Sequence, residues 1–293
     1  MRDVAERLAI ESVAAAEIAA SIADTYDRRG ETVLRSPFLL RERDQDLIAR
    51  ATRQSWERAL PPADRFAYPK FLDLCCGTGA FSLYPAKVGY QVWGVDLSAK
   101  SIAAAEMQAK VNGIDQLCRF EIGDVVEYLS AQTSGAADFP ETFDVISICG
   151  SLYYLDISVI LPLIYQRLAA GGVFLCLETN GSNLAMNWYR RWRNVWHHHR
   201  DPQTLSGLLR DRDYQNLQGY FRSVGVSSEL VYLDFLTLLT PLFSRNRVLA
   251  ERFHGWASRW DRRLLKNRFL QAFAFKLFLK AEKPAANPPP NLP

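Results

Sequence analysis

Three carboxylates, each at or just beyond a run of strand-forming residues, have the types and spacing to do chemistry. Asp73 lies in Phe71-Leu72-Asp73-Leu74-Cys75-Cys76-Gly77-Thr78-Gly79, Asp96 closes Val92-Trp93-Gly94-Val95-Asp96, and Asp124 sits in Glu121-Ile122-Gly123-Asp124-Val125. Asp73 stands before a tight two-glycine turn, where it can face a cationic amino group. Asp96 can accept from both hydroxyls of a ribose. Asp124 can accept from the amino group of an adenine. Any one of them alone reads equally well as a surface carboxylate. The three in order, each after a strand, point to one ligand with an ammonium, a ribose and an adenine.

The turn itself narrows the choice. Glycines permit unusual backbone angles and let a ligand approach the main chain. The dinucleotide fingerprint requires a third glycine where Ser82 stands, and no Gly-Lys-Ser or Gly-Lys-Thr marks a phosphate loop. A nicotinamide-dependent oxidoreductase is therefore disfavoured by Ser82 and Asp73.

Carboxylates so placed need a sheet behind them. Strand-like runs at 71–74, 91–95, 117–122, 143–149 and 173–177 alternate with helical runs near 80–88, 98–111 and 157–168. Ser98 is a natural N-cap and Gly171-Gly172 a stop. This alternation signals a parallel sheet with crossover helices. Before it lie helical segments at 3–25 and 41–59, ended by Pro61-Pro62. After it come a polar, aromatic stretch at 179–212, a helix at 214–224, a strand at 230–236, a basic helix at 241–266 and a strand at 272–281.

The glycine turn resembles the first motif of class I S-adenosylmethionine-dependent methyltransferases, of which Asp-Leu-Cys-Cys-Gly-Thr-Gly is a variant. Asp96 matches their ribose-binding position, and Gly123-Asp124-Val125 is similar to their adenine motif. The run from Phe143 to Cys149 resembles the fourth-strand motif, and Leu168-Ala169-Ala170-Gly171-Gly172 the turn before the fifth strand. The resemblance covers residues 68–180, more loosely to 281. Cys75 departs from a common glycine and Ala170 from a proline. It implies an α/β fold: a doubly wound, mostly parallel, Rossmann-like sheet of seven strands with the last antiparallel, plus helical insertions. The implied division is a helical cover at 1–67, a methyltransferase domain at 68–281 with insertions at about 179–212 and 237–270, and a disordered proline-rich tail at 282–293. S-adenosylmethionine is the expected cofactor, held by Tyr26, Asp73, Cys75, Gly77, Thr78, Gly79, Asp96, Leu97, Gly123, Asp124, Val125 and Cys149. Tyr26 enters this set because its segment resembles one that closes over the donor.

Methyl transfer from a sulfonium needs alignment and exclusion of water more than a particular side chain. Catalytic candidates are Tyr153, Tyr154, Glu178, His197, His198 and His199. The tyrosines equally suit helix-start packing, and Glu178 suits a solvated strand end better than an acceptor contact. Three consecutive histidines share no helix face, so no metal site is expected. A small-molecule acceptor is expected, its methylated atom open between oxygen, nitrogen and carbon. An RNA methyltransferase, an oxidoreductase and a non-catalytic donor-binding module are the alternatives.

Composition sets outer limits. The net charge of +3 is too small to imply nucleic-acid binding. Five cysteines without a Cys-x-x-Cys pair argue against a disulfide framework or zinc site. No apolar run approaches the roughly 18 residues of a membrane span, and no signal segment is evident, so the cytoplasm or its membrane face is expected. Between Arg245 and Arg268 eight basic residues stand against two acidic ones. Leu249, Phe253, Trp256, Trp260 and Leu264 recur there at helical spacing. This face is expected to pack on the sheet edge with its arginines solvated. The alternative is that it meets a lipophilic acceptor or an anionic membrane through 241–270, with Trp188, Trp192 and Trp196.

Overall fold

Runs that are apolar at nearly every position suit strands covered on both faces. A computed structural model describes residues 2–37, 40, 47–130, 140–189, 207–243 and 245–285. The strands are β1 (Lys70–Leu74), β2 (Gln91–Asp96), β3 (Cys118–Ile122), β4 (Phe143–Cys149), β5 (Leu168–Thr179), β6 (Ser227–Leu233) and β7 (Lys276–Glu282). They form one sheet in the order β3-β2-β1-β4-β5-β7-β6. The first five pair in parallel, and β7 runs antiparallel to both β5 and β6. The chain reverses its direction of travel across the sheet between β1 and β4, so their carboxyl ends flank the crevice where such sheets bind ligands.

Successive strand residues feed opposite layers. Phe71, Val92, Val145, Val173 and Phe278 pack with Trp56 and Tyr90 on one face. Leu72, Val95, Ile146, Phe174 and Leu279 pack with Leu129, Ile160, Ile164 and Phe221 on the other. Helices α1 (Arg2–Arg35), α2 (Leu47–Ala59), α3 (Leu83–Lys87), α4 (Ala99–Val111), α5 (Val125–Ser130), α6 (Ile157–Arg167), α7 (Asp211–Ser223), α8 (Arg247–Leu264) and α9 (Arg268–Gln271) complete the fold. Ser98 caps α4, accepting from Ser101 N at 3.0 Å.

The two N-terminal helices take different places. Trp56 of α2 is fully buried, its ring 6.0 Å from Phe71. By contrast, α1 lies along α4. Their backbones touch at Gly30, where a Cβ would come within 2.5 Å of the Lys100 carbonyl carbon.

Several boundaries differ from expectation. Helix α6 ends at Arg167, and Gly171-Gly172 falls inside β5, where the register against β4 shifts. Gly171 takes φ +73° and donates to Pro284 O, so the glycines make a bulge rather than a helix stop. Strand β6 lies three residues earlier than expected, and β7 begins at Lys276. The basic insertion opens with a 3₁₀ stretch, Leu236–Phe243, before α8. Lys283 bonds Gly172 O and the carbonyls of Tyr165 and Leu168, so order persists past 282.

The aromatic face of α8 is the larger correction. The residues that α8 buries are Ala250, His254, Ala257 and Asp261. Small side chains allow close approach, and Asp261 accepts from the amides of Phe235, Leu236 and Thr237. Leu249, Trp256 and Trp260 stay 48%, 45% and 40% exposed instead of packing on the sheet edge.

Candidate active site

The turn after β1 is held in left-handed backbone. Cys75, Gly77 and Gly79 have φ of 54°, 52° and 77°. Cys75 is the costly one, because a side chain there strains the conformation that glycine adopts freely. Cys76 N donates to Val95 O at 3.0 Å and ties the turn to β2. A Cβ built on Gly77 meets nothing within 4 Å, so the space above this residue is open and any side chain would fill it. At Gly79 a Cβ would press to 3.3 Å from Ala105 of α4.

The carboxylates converge on this turn. Burial, then the charges of Asp96, Asp73, Glu178 and Asp124, push the Cys75 thiol well above its ordinary range. Four carboxylates thus act on one sulfur. Asp73 is buried and accepts from Ser82 Oγ at 2.5 Å. Burial lifts its pKa to about 7, with the Asp96 charge adding and the Ser82 bond opposing. Asp96 accepts from Gly77 N at 2.8 Å and Ser98 N at 2.9 Å, and burial raises it too. Asp124 caps α5 through Oδ1, which takes Val126 N at 2.7 Å and Glu127 N at 3.1 Å; Oδ2 takes no part in that cap. Leu97 and Ile122 stand exposed at the ends of β2 and β3. Gly123 N bonds Asp96 O, while Thr78 and Val125 are buried.

Glu178 corrects the expectation of a solvated strand end: it is 0% exposed. Its Oε1 accepts from Ser151 N at 2.8 Å and Leu152 N at 2.7 Å, amides of the turn after β4. Among the described residues its Oε2 has no hydrogen-bond partner. Burial lifts its pKa to about 7 against the pull of those amides and of Lys276. The Tyr214 hydroxyl of α7 is also buried, without a partner among the described residues, and it feels the Glu178 charge. Sequence reasoning missed Tyr214, which looked like the start of an ordinary helix. Cys149, at the end of β4, has its thiol raised by burial and by the charges of Asp73 and Glu178.

Tyr153 and Tyr154 lie in a 3₁₀ turn with ring centroids 4.2 Å apart, and Tyr26 of α1 meets Tyr154 edge-on at 6.4 Å. The helix is fastened beside them. Ser98 Oγ donates to Asp27 Oδ1 at 2.6 Å, Ser101 Oγ donates to Tyr26 O, and Glu31 pairs with Lys100. Sequence gives Asp27 and Ser82 no bonding role, and the structure supplies one. His197, His198, His199, Trp192 and Trp196 lie outside the described residues. Among the described residues no His, Cys, Asp or Glu cluster could hold a metal.

An open cradle over Gly77 with several carboxylates around it suits a cationic, ribose-bearing ligand. S-adenosylmethionine, with a sulfonium and an ammonium against one carboxylate, has that charge. The profile of the methyltransferase domain family matches residues 40–219, over half of the chain and all of β1–β5. The chain belongs to this family. It is an S-adenosylmethionine-dependent methyltransferase. Among its relatives, the ubiquinone biosynthesis O-methyltransferase of Ruegeria pomeroyi is 26% identical over 185 residues, 56% of this chain and 67% of that protein. A 23S rRNA (uracil(747)-C(5))-methyltransferase of Vibrio vulnificus matches more locally, at 36% over 86 residues, 29% of this chain and 21% of that one. The structure of geranyl diphosphate methyltransferase superposes with a TM-score of 0.52 at 16% identity, covering 80% of this chain and 78% of that one. This last likeness speaks for the fold.

Proposed function

We propose that this methyltransferase acts on a hydroxyl oxygen of a small, largely apolar acceptor. The observation that carries this reading is Glu178 Oε2: a buried carboxylate oxygen without a partner among the described residues, on a side chain whose charge reaches Cys75 of the donor turn. A carboxylate with a pKa near 7 is matched to taking a proton at neutral pH. The O-methyltransferase relatives support the choice of oxygen.

Bound in the cradle, S-adenosylmethionine supplies a methyl group on a sulfonium, activated for in-line displacement. Asp73 would hold its ammonium, and Asp96, preset by Gly77 N and Ser98 N, would accept from the ribose. Asp124 would accept from the adenine, with Leu97 and Ile122 as apolar cover. Tyr26, Tyr153 and Tyr154 close the site against water. Glu178 takes the acceptor's proton as the nucleophile forms. The rim on the β5 side is apolar: Leu184, Trp188, Phe269 and Phe273 are exposed. Asn183 Nδ2 donates to Phe273 O at 2.7 Å and draws the two groups together. Such a rim favours a lipophilic acceptor.

The test is S-adenosylhomocysteine release with a panel of phenols of increasing alkyl length, beside matched anilines. Turnover confined to the phenols and rising with chain length is expected. Turnover of the anilines alone would reject the oxygen reading.

A further inference from the structure

Helix α8 carries three stripes. At about 100° per residue, Ala250, His254, Ala257 and Asp261 form one, and it is buried. A quarter turn away lie Leu249, Phe253, Trp256 and Trp260. Next around the circumference come Arg252, Arg259 and Arg263, all exposed. The aromatic stripe is continuous, with centroid steps of 4.4 Å from Phe243 to Phe253, 5.7 Å to Trp256 and 6.2 Å to Trp260. Leu242, 76% exposed in the preceding turn, widens it. The Arg263 guanidinium lies 5.6 Å from the Trp260 ring. Arg58, Arg259 and Lys266 extend the positive charge into a groove of about 920 Å³ along the edge strand β6.

We propose that this face of α8 seats the protein on an anionic lipid bilayer. Aromatic and leucine side chains enter the headgroup boundary while arginines beside them reach the phosphates. Charge complementarity selects the occupant. Between Arg245 and Arg268 the segment carries eight basic and two acidic residues, and Asp261 is buried on backbone amides. A second copy would set this positive face against itself, because a two-fold interface pairs a patch with its own image. The insertion leaves the sheet at Leu233 and returns at Lys276, level with Thr179 at the carboxyl end of β5. Both ends of the insertion that carries α8 therefore lie at the end of the sheet that carries Glu178. The proposal is independent of the acceptor's identity.

Flotation of the intact chain tests it, with vesicles of phosphatidylcholine alone or mixed with phosphatidylglycerol, at low and high salt. Flotation with the anionic vesicles, weakened by salt, is expected. At roughly fivefold per surface cation, the triple variant Arg252→Gln, Arg259→Gln, Arg263→Gln lowers partitioning by about a hundredfold. Trp256→Ser with Trp260→Ser weakens it independently. An unchanged melting temperature and unchanged S-adenosylhomocysteine affinity show that each variant is folded. No flotation, equal flotation with neutral vesicles, or flotation undiminished in the arginine variant overturns the proposal. So does a dimer in sedimentation that the tryptophan variant abolishes, or RNA retention through these arginines without vesicle binding.

Discussion

Glu178 and Asp261 are both carboxylates buried against backbone amides, one at the end of β5 and one on the inner face of α8. Asp261 has both oxygens engaged: Oδ1 takes Leu236 N, and Oδ2 takes Phe235 N, Thr237 N and Thr237 Oγ1. Glu178 spends Oε1 on two amides and leaves Oε2 bare. Burial is nearly the same, so what separates the two groups is leftover valence. An uncompensated buried oxygen costs about 1–3 kcal/mol. Asp234, which accepts from Thr52 and Thr237 hydroxyls, follows Asp261.

The contrast is sharpest in turnover. Glu178→Gln keeps an oxygen for the Ser151 and Leu152 amides while removing the base, so kcat is expected to fall by about 10²–10⁴-fold with the melting temperature held. The wild-type rate should rise with pH through about 7, as the Glu178 proton leaves, and the variant should lose that rise. A variant that unfolds while its residual kcat is normal would make Glu178 another Asp261. Next in size is Asp96→Ala. Loss of hydrogen bonds to a charged group lowers S-adenosylhomocysteine affinity by about ten- to a hundredfold, read by calorimetry. Normal affinity would move the ribose elsewhere. The smallest effect concerns Asp73. Unliganded, its carboxyl holds a proton below about 7; an ammonium favours the anion and expels that proton. Donor affinity should therefore climb by roughly tenfold per pH unit up to about 7 and then level. Asp73→Asn flattens this slope, and a slope surviving in Asp73→Asn would assign it to another carboxylate.

Legibility followed the range of the interactions. The sheet was readable because alternation, the Ser98 cap and the Cys75–Gly79 turn are local. The placement of Asp73, Asp96 and Asp124 at or just beyond the ends of β1, β2 and β3 was readable because each hangs on a local strand pattern. Glu178 was misjudged because its burial depends on amides 26 and 27 residues away in sequence. The α8 face was misjudged for a related reason. Periodicity finds the most apolar stripe, yet the buried stripe is Ala250, His254, Ala257 and Asp261, chosen by fit to the 3₁₀ stretch. Local sequence marks Gly171-Gly172 as a helix stop, because a bulge is defined only by the partner strand.

Ser98 has a second life beyond its helix cap. Its amide holds Asp96, its hydroxyl holds Asp27 of α1, and Gly30 lets α1 lie flush on α4 three residues further along. A single residue therefore joins Asp96 to the helix that carries Tyr26. Lifting α1 strips the Ser98 hydroxyl of its acceptor, so any such motion is felt at Asp96 within one hydrogen-bonded step.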